Sequence, residues 1–149
     1  KMLRAAAVAT EGPVPYDLIV LSAHERHLRR RVLTLQHGDR VLVDLPQATR
    51  LKDRDRLALE DGRHVEVIAA DEPLYEVRCA DPVRRARIAW ALGNRHTQIE
   101  LRDDAIFLAP DHVLRAMLIQ MGATVSEIVA PFEPEPSFGG HAHAHDHPH

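Results

Sequence analysis

Cysteine and aromatic residues are scarce in this chain of 149 residues, and long apolar runs are missing. The single cysteine, Cys79, excludes an intramolecular disulfide framework. Aromatic residues make up 4% of the chain, so its core must be built from aliphatic side chains. No stretch approaches the roughly 20 apolar residues of a membrane span. A net charge of −3 gives no general attraction to nucleic acid or to acidic membranes, and we expect a cytoplasmic protein.

Motifs that indicate an enzyme are also missing. The sequence has no glycine-rich phosphate loop, no Ser-His-Asp arrangement and no Cys-x-x-Cys pair. Cys79 follows a strand-like alternation, on the side that carries Tyr75 and Val77. Because free cysteines in such positions are commonly buried and unreactive, we predict a core cysteine and a protein that catalyses no reaction.

Short segments with strand signals and turn residues between them fill the first half of the chain. The predicted strands cover residues 17–21, 31–35, 40–45, 56–60 and 64–69. We expect Pro46 to end the third of these strands and Asp71-Glu-Pro73 to break the pattern. The pattern therefore predicts a small all-β domain, a sandwich or barrel, over residues 1–72.

The second half mixes strands and helices in the order β-α-β-β-α-β, the ferredoxin-like pattern. The expected elements are strands at 74–80, 97–101, 105–108 and 124–129, and helices at 82–92 and 110–121. This half predicts an α+β domain over residues 73–136, followed by a tail over 137–149. The chain as a whole is thus expected to be a two-domain α+β protein.

Two aspartates mark the starts of the predicted helices. Asp81 precedes Pro82 and is expected to cap the first helix. Pro110 and Asp111 are expected to open the second helix, with the proline in its first turn. The apolar side of the first helix is expected to carry Val83, Ala86, Ile88, Ala89 and Trp90.

Histidine is concentrated at the end of the chain. The last nine residues carry five of the eleven histidines: His141, His143, His145, His147 and His149. Imidazole suits Zn, Cu, Fe and Ni, and the segment has no apolar residue larger than alanine with which to build a core. We interpret it as a chelating arm that is disordered without metal. A purification tag is the alternative, although tags are usually unbroken histidine runs.

Two histidines elsewhere are candidate ligands. His96 is predicted between a helix end and a strand, and His112 in the first turn of the second helix. Two lone histidines do not fill a coordination shell, but a symmetric dimer doubles each residue near its axis. The tail histidines could supply the remainder at an effective concentration of about millimolar.

The remaining histidines are given no metal role. His24 and His27 have the i, i+3 spacing of a helical metal pair, but Arg26 and the arginines at 29–31 oppose a second cation there. We interpret both as surface residues. His37 is expected in a turn and His64 at the start of a strand.

The chain resembles the UreE family of urease accessory proteins. The resemblance is carried by Leu92-Gly-Asn-Arg-His96, by Asp111-His-Val-Leu114 with Met117-Leu118, by Pro131-Phe-Glu-Pro-Glu135, and by Gly139-Gly140 with the His-rich end. It covers the second half strongly. In the first half it depends on strand order and on Gly38-Asp39-Arg40.

The resemblance implies a nickel metallochaperone that delivers Ni²⁺ for assembly of the urease active site. It implies a homodimer formed through the second domains, with His96 of each subunit at the interface metal and His112 as a secondary ligand. It also implies two partners, a urease-maturation GTPase and the apo-urease complex. Some relatives have further histidines where Ala91 and Pro110 stand here.

Two other functions remain open at this point. The protein is a metal buffer or storage protein if only the tail binds tightly and no handover occurs. It is a peptide-binding assembly module if the tail is incidental. For the nickel-binding function, Cu²⁺ or Zn²⁺ can replace Ni²⁺ in vitro, because imidazole suits all three ions and divalent copper binds nitrogen ligands more tightly than nickel does.

Overall fold

The computed structural model describes residues 2–136, so the predicted disordered tail, 137–149, lies outside the described residues. Its elements are β1 (Leu3–Ala9), β2 (Asp17–Leu21), β3 (His27–Thr34), β4 (Arg40–Arg50), β5 (Arg56–Leu59), β6 (His64–Ala69), β7 (Asp71–Arg78), α1 (Pro82–Asn94), β8 (Glu100–Arg102), β9 (Ala105–Leu108), α2 (His112–Gln120) and β10 (Thr124–Pro131). In this part of the chain, neither helix is long and apolar enough to cross a membrane.

Internal contacts divide the chain into two compact units. The first comprises Lys1–Pro73 with Val129–Glu133, and the second Leu74–Ile128 with the residues from Pro134 on. The first unit contains a six-stranded sheet in the order β2-β6-β5-β1-β4-β3. Strand β6 and the first half of β4 alternate buried residues with more exposed ones, as the sequence pattern predicted. The core of this unit is almost entirely aliphatic.

The centre of this sheet contains a strand that we did not predict. Strand β1 is alanine-rich and lacks a clear alternation, yet it pairs in parallel with β4 and antiparallel with β5. Ala5 is buried at its centre. Only Ala5 is buried among the alanines of this strand, so a local hydrophobic pattern does not reveal its place in the sheet.

Two prolines predicted to end strands lie within them. Strand β4 continues through Pro46, because the β3–β4 ladder is irregular there: Arg30 pairs with Asp44 and Leu28 with Thr49, leaving the residues between in a bulge. Strand β7 already begins at Asp71, but its ladder with β9 starts only at Tyr75, so Pro73 removes no donor from that ladder.

The second unit has the predicted β-α-β-β-α-β order. Its four strands form a sheet in the order β10-β7-β9-β8. Buried residues of both helices and of the two central strands form its core, and Cys79 is buried among them as predicted. Asp81 caps α1 and Asp111 caps α2, each accepting backbone N–H bonds of the first turn. Pro110 precedes the α2 cap instead of lying in the first turn.

The prediction of which α1 residues face the core is partly wrong. Ile88 and Leu92 are its buried residues. Val83, Ala86 and Trp90, which were expected on the apolar core side, are exposed. The side chain of the only tryptophan therefore lies on the protein surface.

Arg26 is fully buried, whereas the arginines at 29–31 are exposed. Its guanidinium donates to the carbonyls of Leu21 and Leu51, each at 3.0 Å, and to the carbonyl of Phe132. It also forms a 3.0 Å ion pair with Glu133. The Arg26 side chain thus links the end of strand β2, the residue after β4, and residues 132–133, all within the first unit.

Replacing Arg26 should therefore destabilise the protein strongly. We expect Arg26→Met to lower the free energy of unfolding by about 3–5 kcal/mol, because buried carbonyls lose their donor and the ion pair of Arg26 with Glu133 is removed. Urea denaturation measures the change. The control is Arg29→Met, since the Arg29 side chain is 53% exposed and its 3.9 Å pair with Asp44 should contribute less than about 1 kcal/mol. Equal effects of the two substitutions would show that the buried guanidinium stabilises the fold no more than an exposed one.

Candidate metal site at the end of helix α1

The turn that ends α1 holds His96 in an unusual backbone conformation. The N–H of Thr97 donates to the carbonyl of Leu92 at 3.1 Å, and the N–H of His96 donates to the carbonyl of Gly93 at 3.0 Å. These two bonds define a Schellman motif, whose penultimate residue must be left-handed. That residue is His96, with φ +58°.

Helix α2 ends in the same motif with a glycine. The N–H of Ala123 donates to Leu118 and that of Gly122 to Ile119, each at 3.0 Å, and Gly122 has φ +92°. Glycine is the usual residue at this position, whereas an L side chain costs about 1–2 kcal/mol in left-handed backbone. Histidine at position 96 is therefore not explained by stability, and such outliers often mark functional positions.

The surroundings of His96 suit a metal ligand. The residue is exposed, so an ion can reach its ring from solvent. It lies just beyond the carboxyl end of α1, where the helix dipole places partial negative charge. This field favours a cation near the imidazole.

His112 is a poorer ligand on the same electrostatic grounds. It is exposed and is the first residue of α2, at the partially positive end of the helix. The neighbouring carboxylate of Asp111 accepts the N–H groups of Val113 and Leu114 at 2.9 and 3.0 Å, so it is already used in capping. An ion bound here would have to overcome the helix dipole.

Topology brings the two histidines to the same end of the second unit. Residues 97–99 lead from His96 into β8, whose first residue, Glu100, pairs with Phe107 near the end of β9. The segment leaving β9 leads directly to His112. Between residues 2 and 136, however, no three His, Cys, Asp or Glu side chains form a group that could hold a metal ion. One described chain thus offers isolated ligands at this end.

The other histidines do not form a second candidate site among the described residues. His24 lies in a turn and His27 opens β3, so their spacing is not on a helix; both are exposed, as predicted. His37 contacts Asp17, a partner that the sequence pattern did not reveal. Its Nδ1 lies 2.8 Å from the buried carboxylate.

The contact between Asp17 and His37 joins β2 to the turn after β3. Burial acts to raise the pKa of Asp17, but hydrogen bonds from the Leu18 N–H and from the ring and N–H of His37 outweigh it and hold this pKa below its usual value. The sequence contained one signal for this contact, because Asp17 is a charged residue at the start of an apolar strand. Because no further ligand joins the pair among the described residues, we assign it a structural role.

An exposed apolar surface precedes His96 on α1. Val83 is 58% exposed and Trp90 is 71% exposed. Their seven-residue spacing places them on one side of the helix. We call Val83 and Trp90 the outer face of α1. A tryptophan this exposed is unusual, and tryptophan is enriched where proteins bind one another.

The two units define the class: a two-domain α+β protein, with a sheet domain followed by a sheet-and-helix domain that presents exposed histidines. Two family models match the chain, the N-terminal domain of the UreE urease accessory protein over residues 3–70 and its C-terminal domain over residues 72–149. The chain belongs to the UreE family of urease accessory proteins, which confirms the resemblance predicted from the sequence.

Individual relatives agree. The urease accessory protein UreE of Brucella anthropi is 44% identical over 149 residues, covering 97% of this chain and 88% of that protein. The UreE of Rhizobium meliloti is 42% identical over 147 residues, which are 97% of this chain and 94% of that protein. That of Mesorhizobium japonicum is 49% identical over 129 residues, which are 86% of this chain and 66% of that protein. These relatives are named as accessory proteins and not as enzymes.

The left-handed backbone of His96 makes a prediction about stability. In metal-free protein, we expect His96→Gly to raise the free energy of unfolding by about 1 kcal/mol, because glycine relieves the strain at φ +58°. The matched variant His112→Gly should lower it by about 0.5–1 kcal/mol, because position 112 is helical. Urea denaturation of both variants tests this, and a loss of stability in both would show that His96 is not strained.

Proposed function

We propose that this protein is a nickel metallochaperone that binds Ni²⁺ and delivers it for assembly of the urease active site. The observation that carries the proposal is His96: an exposed imidazole, held in left-handed backbone at a helix end, where glycine would be more stable. Membership of a urease accessory family supplies the context. The protein catalyses no reaction in this proposal.

The binding unit is a homodimer that forms through the second domains. The outer face of α1, with Val83 and Trp90, supports this arrangement because it exposes a large apolar area just before His96. If two copies meet there around a twofold axis, the two His96 side chains approach each other. His112 would act as a secondary ligand at the same end of the unit.

The tail histidines complete the coordination shell in this proposal. His141, His143, His145, His147 and His149 follow the folded chain closely enough to reach the site, with an effective concentration of about millimolar. Each ligand must be neutral to bind, so binding releases protons and weakens in acid. Because Cu²⁺ binds nitrogen ligands more tightly than Ni²⁺, nickel specificity depends on cellular supply and on the recipient.

The two domains have different tasks in this proposal. Residues 1–72 provide protein contacts, and residues 73–136 provide metal binding and dimerisation. The recipients are a urease-maturation GTPase and, downstream, the apo-urease complex, both in the cytoplasm. An exposed ion with few rigid ligands can be transferred to such a partner more readily than one enclosed in a complete protein shell.

Native mass spectrometry with Ni²⁺ tests the metal site. The full chain, a chain ending at Gly140, and His96→Ala and His112→Ala in each are compared. We expect the shortened dimer to keep one tightly bound nickel, His96→Ala to abolish it, and His112→Ala to weaken it only modestly. If the shortened chain binds no nickel, all tight binding lies in the tail and the metal-buffer function replaces our proposal.

The assembly mode has its own test. We expect Trp90→Glu to raise the dimer dissociation constant at least about thirtyfold, equivalent to about 2 kcal/mol, because a central tryptophan contact is replaced by a charge. Analytical ultracentrifugation measures the constant, and nickel binding should fall with it in the chain ending at Gly140. Val14→Glu is the control, since Val14 is 89% exposed in the first unit. A Trp90→Glu dimer of unchanged affinity would place the interface elsewhere.

A further inference from the structure

An open apolar groove lies in the second unit beside the outer face of α1. It has a volume of about 390 Å³. Its apolar lining comes from one side of α1 and from the β8–β9 hairpin: Pro82, Ala86, Ala89, Leu101, Ala105 and Ile106. Leu101 is 52% exposed, which is unusual for a leucine in a sheet and leaves an apolar wall without a cover.

A residue after strand β10 is hydrogen-bonded to the sheet at one side of this groove. Strand β8 is an edge strand, with backbone groups that no neighbouring strand pairs in the described sheet. Glu135 occupies this edge: its N–H donates to the carbonyl of Ile99 at 2.7 Å, and its carboxylate accepts the N–H of Leu101 at 2.9 Å. Glu135 is thus bonded to the same residue whose side chain lines the groove.

The next large apolar residue along the chain is Phe138. It follows Glu135 by three positions, a span of at most about 10 Å. The two other phenylalanines, Phe107 and Phe132, are buried in the described structure. From residue 137 to the end, Phe138 is the only aromatic residue besides the histidines, with the small residues Ser137, Gly139 and Gly140 on either side.

We propose that Phe138 docks into the groove between α1 and β8, against Leu101. The ring would cover the exposed leucine and the alanines of α1, burying apolar surface that is otherwise in water. The encounter is intramolecular, at an effective concentration of about millimolar, and the bond of Glu135 to Leu101 holds the nearby chain beside the groove. The small neighbours of Phe138 would let the backbone approach the groove closely.

This docking would determine where the His-rich segment leaves the folded unit. His141 follows Phe138 by three residues, so the docked ring shortens the free segment that begins there. The contact is between apolar groups and needs no metal. The docking proposal can therefore be tested, and can fail, independently of the proposed nickel function.

Methyl NMR of the metal-free, full-length chain tests the docking. In the wild type, we expect ring-current shifts at the methyl groups of Ala86, Ala89 and Ile106, and we expect Phe138→Ala to abolish them. Phe138→Tyr should retain them, because it keeps an aromatic ring. Ser137→Ala is the matched control and should leave every methyl shift unchanged. His96→Ala should also retain the ring-current shifts, since the docking does not use the metal site.

Two results would overturn the docking. If Phe138→Ala leaves the three methyl resonances where they are, the ring does not occupy the groove. If a mixture of labelled wild type and unlabelled Phe138→Ala dimers loses the shifts, the ring comes from a second copy, and the intrachain arrangement is wrong. Retention of the shifts in such mixed dimers supports the ring of the same chain.

Discussion

The burial of Leu92 is the constraint on which the proposed site depends. Its side chain is fully buried in the core of the second unit with Ile88 and Leu118. Its carbonyl accepts the N–H of Thr97, which closes the turn around His96. Core packing therefore sets the position of the helix end, and the helix end sets the backbone of the histidine. An exposed ligand can be oriented in this way without any side-chain contact of its own.

Helix α1 departs from the rules of stability at two places, and both are exposed. Trp90 is in water where a polar residue would be expected, and His96 occupies a position that suits glycine. Helix α2 ends in the same turn with the expected glycine, which shows that the fold itself does not demand histidine there. Local departures of this kind concentrate where function is selected against stability, which is why both residues enter the proposed assembly and metal site.

The segment after β10 has two attachments, one in each unit. Glu133 pairs with the buried Arg26 of the first unit, whereas Glu135 bonds to Ile99 and Leu101 of the second. The two glutamates differ in what they stabilise: the first compensates a buried charge, and the second bonds to an open sheet edge.

Local sequence patterns were enough to predict most strands, the Asp81 cap of α1, the β-α-β-β-α-β order and the buried Cys79, because these depend on neighbours within a few residues. They also identified His96 and His112 as candidates and placed them at element ends. Tertiary structure alone decided that alanine-rich β1 is a central strand, that Arg26 is buried, that Trp90 faces outward and that His96 is left-handed. These features depend on which distant segment covers a side chain or closes a turn, and a linear pattern contains no information on that contact.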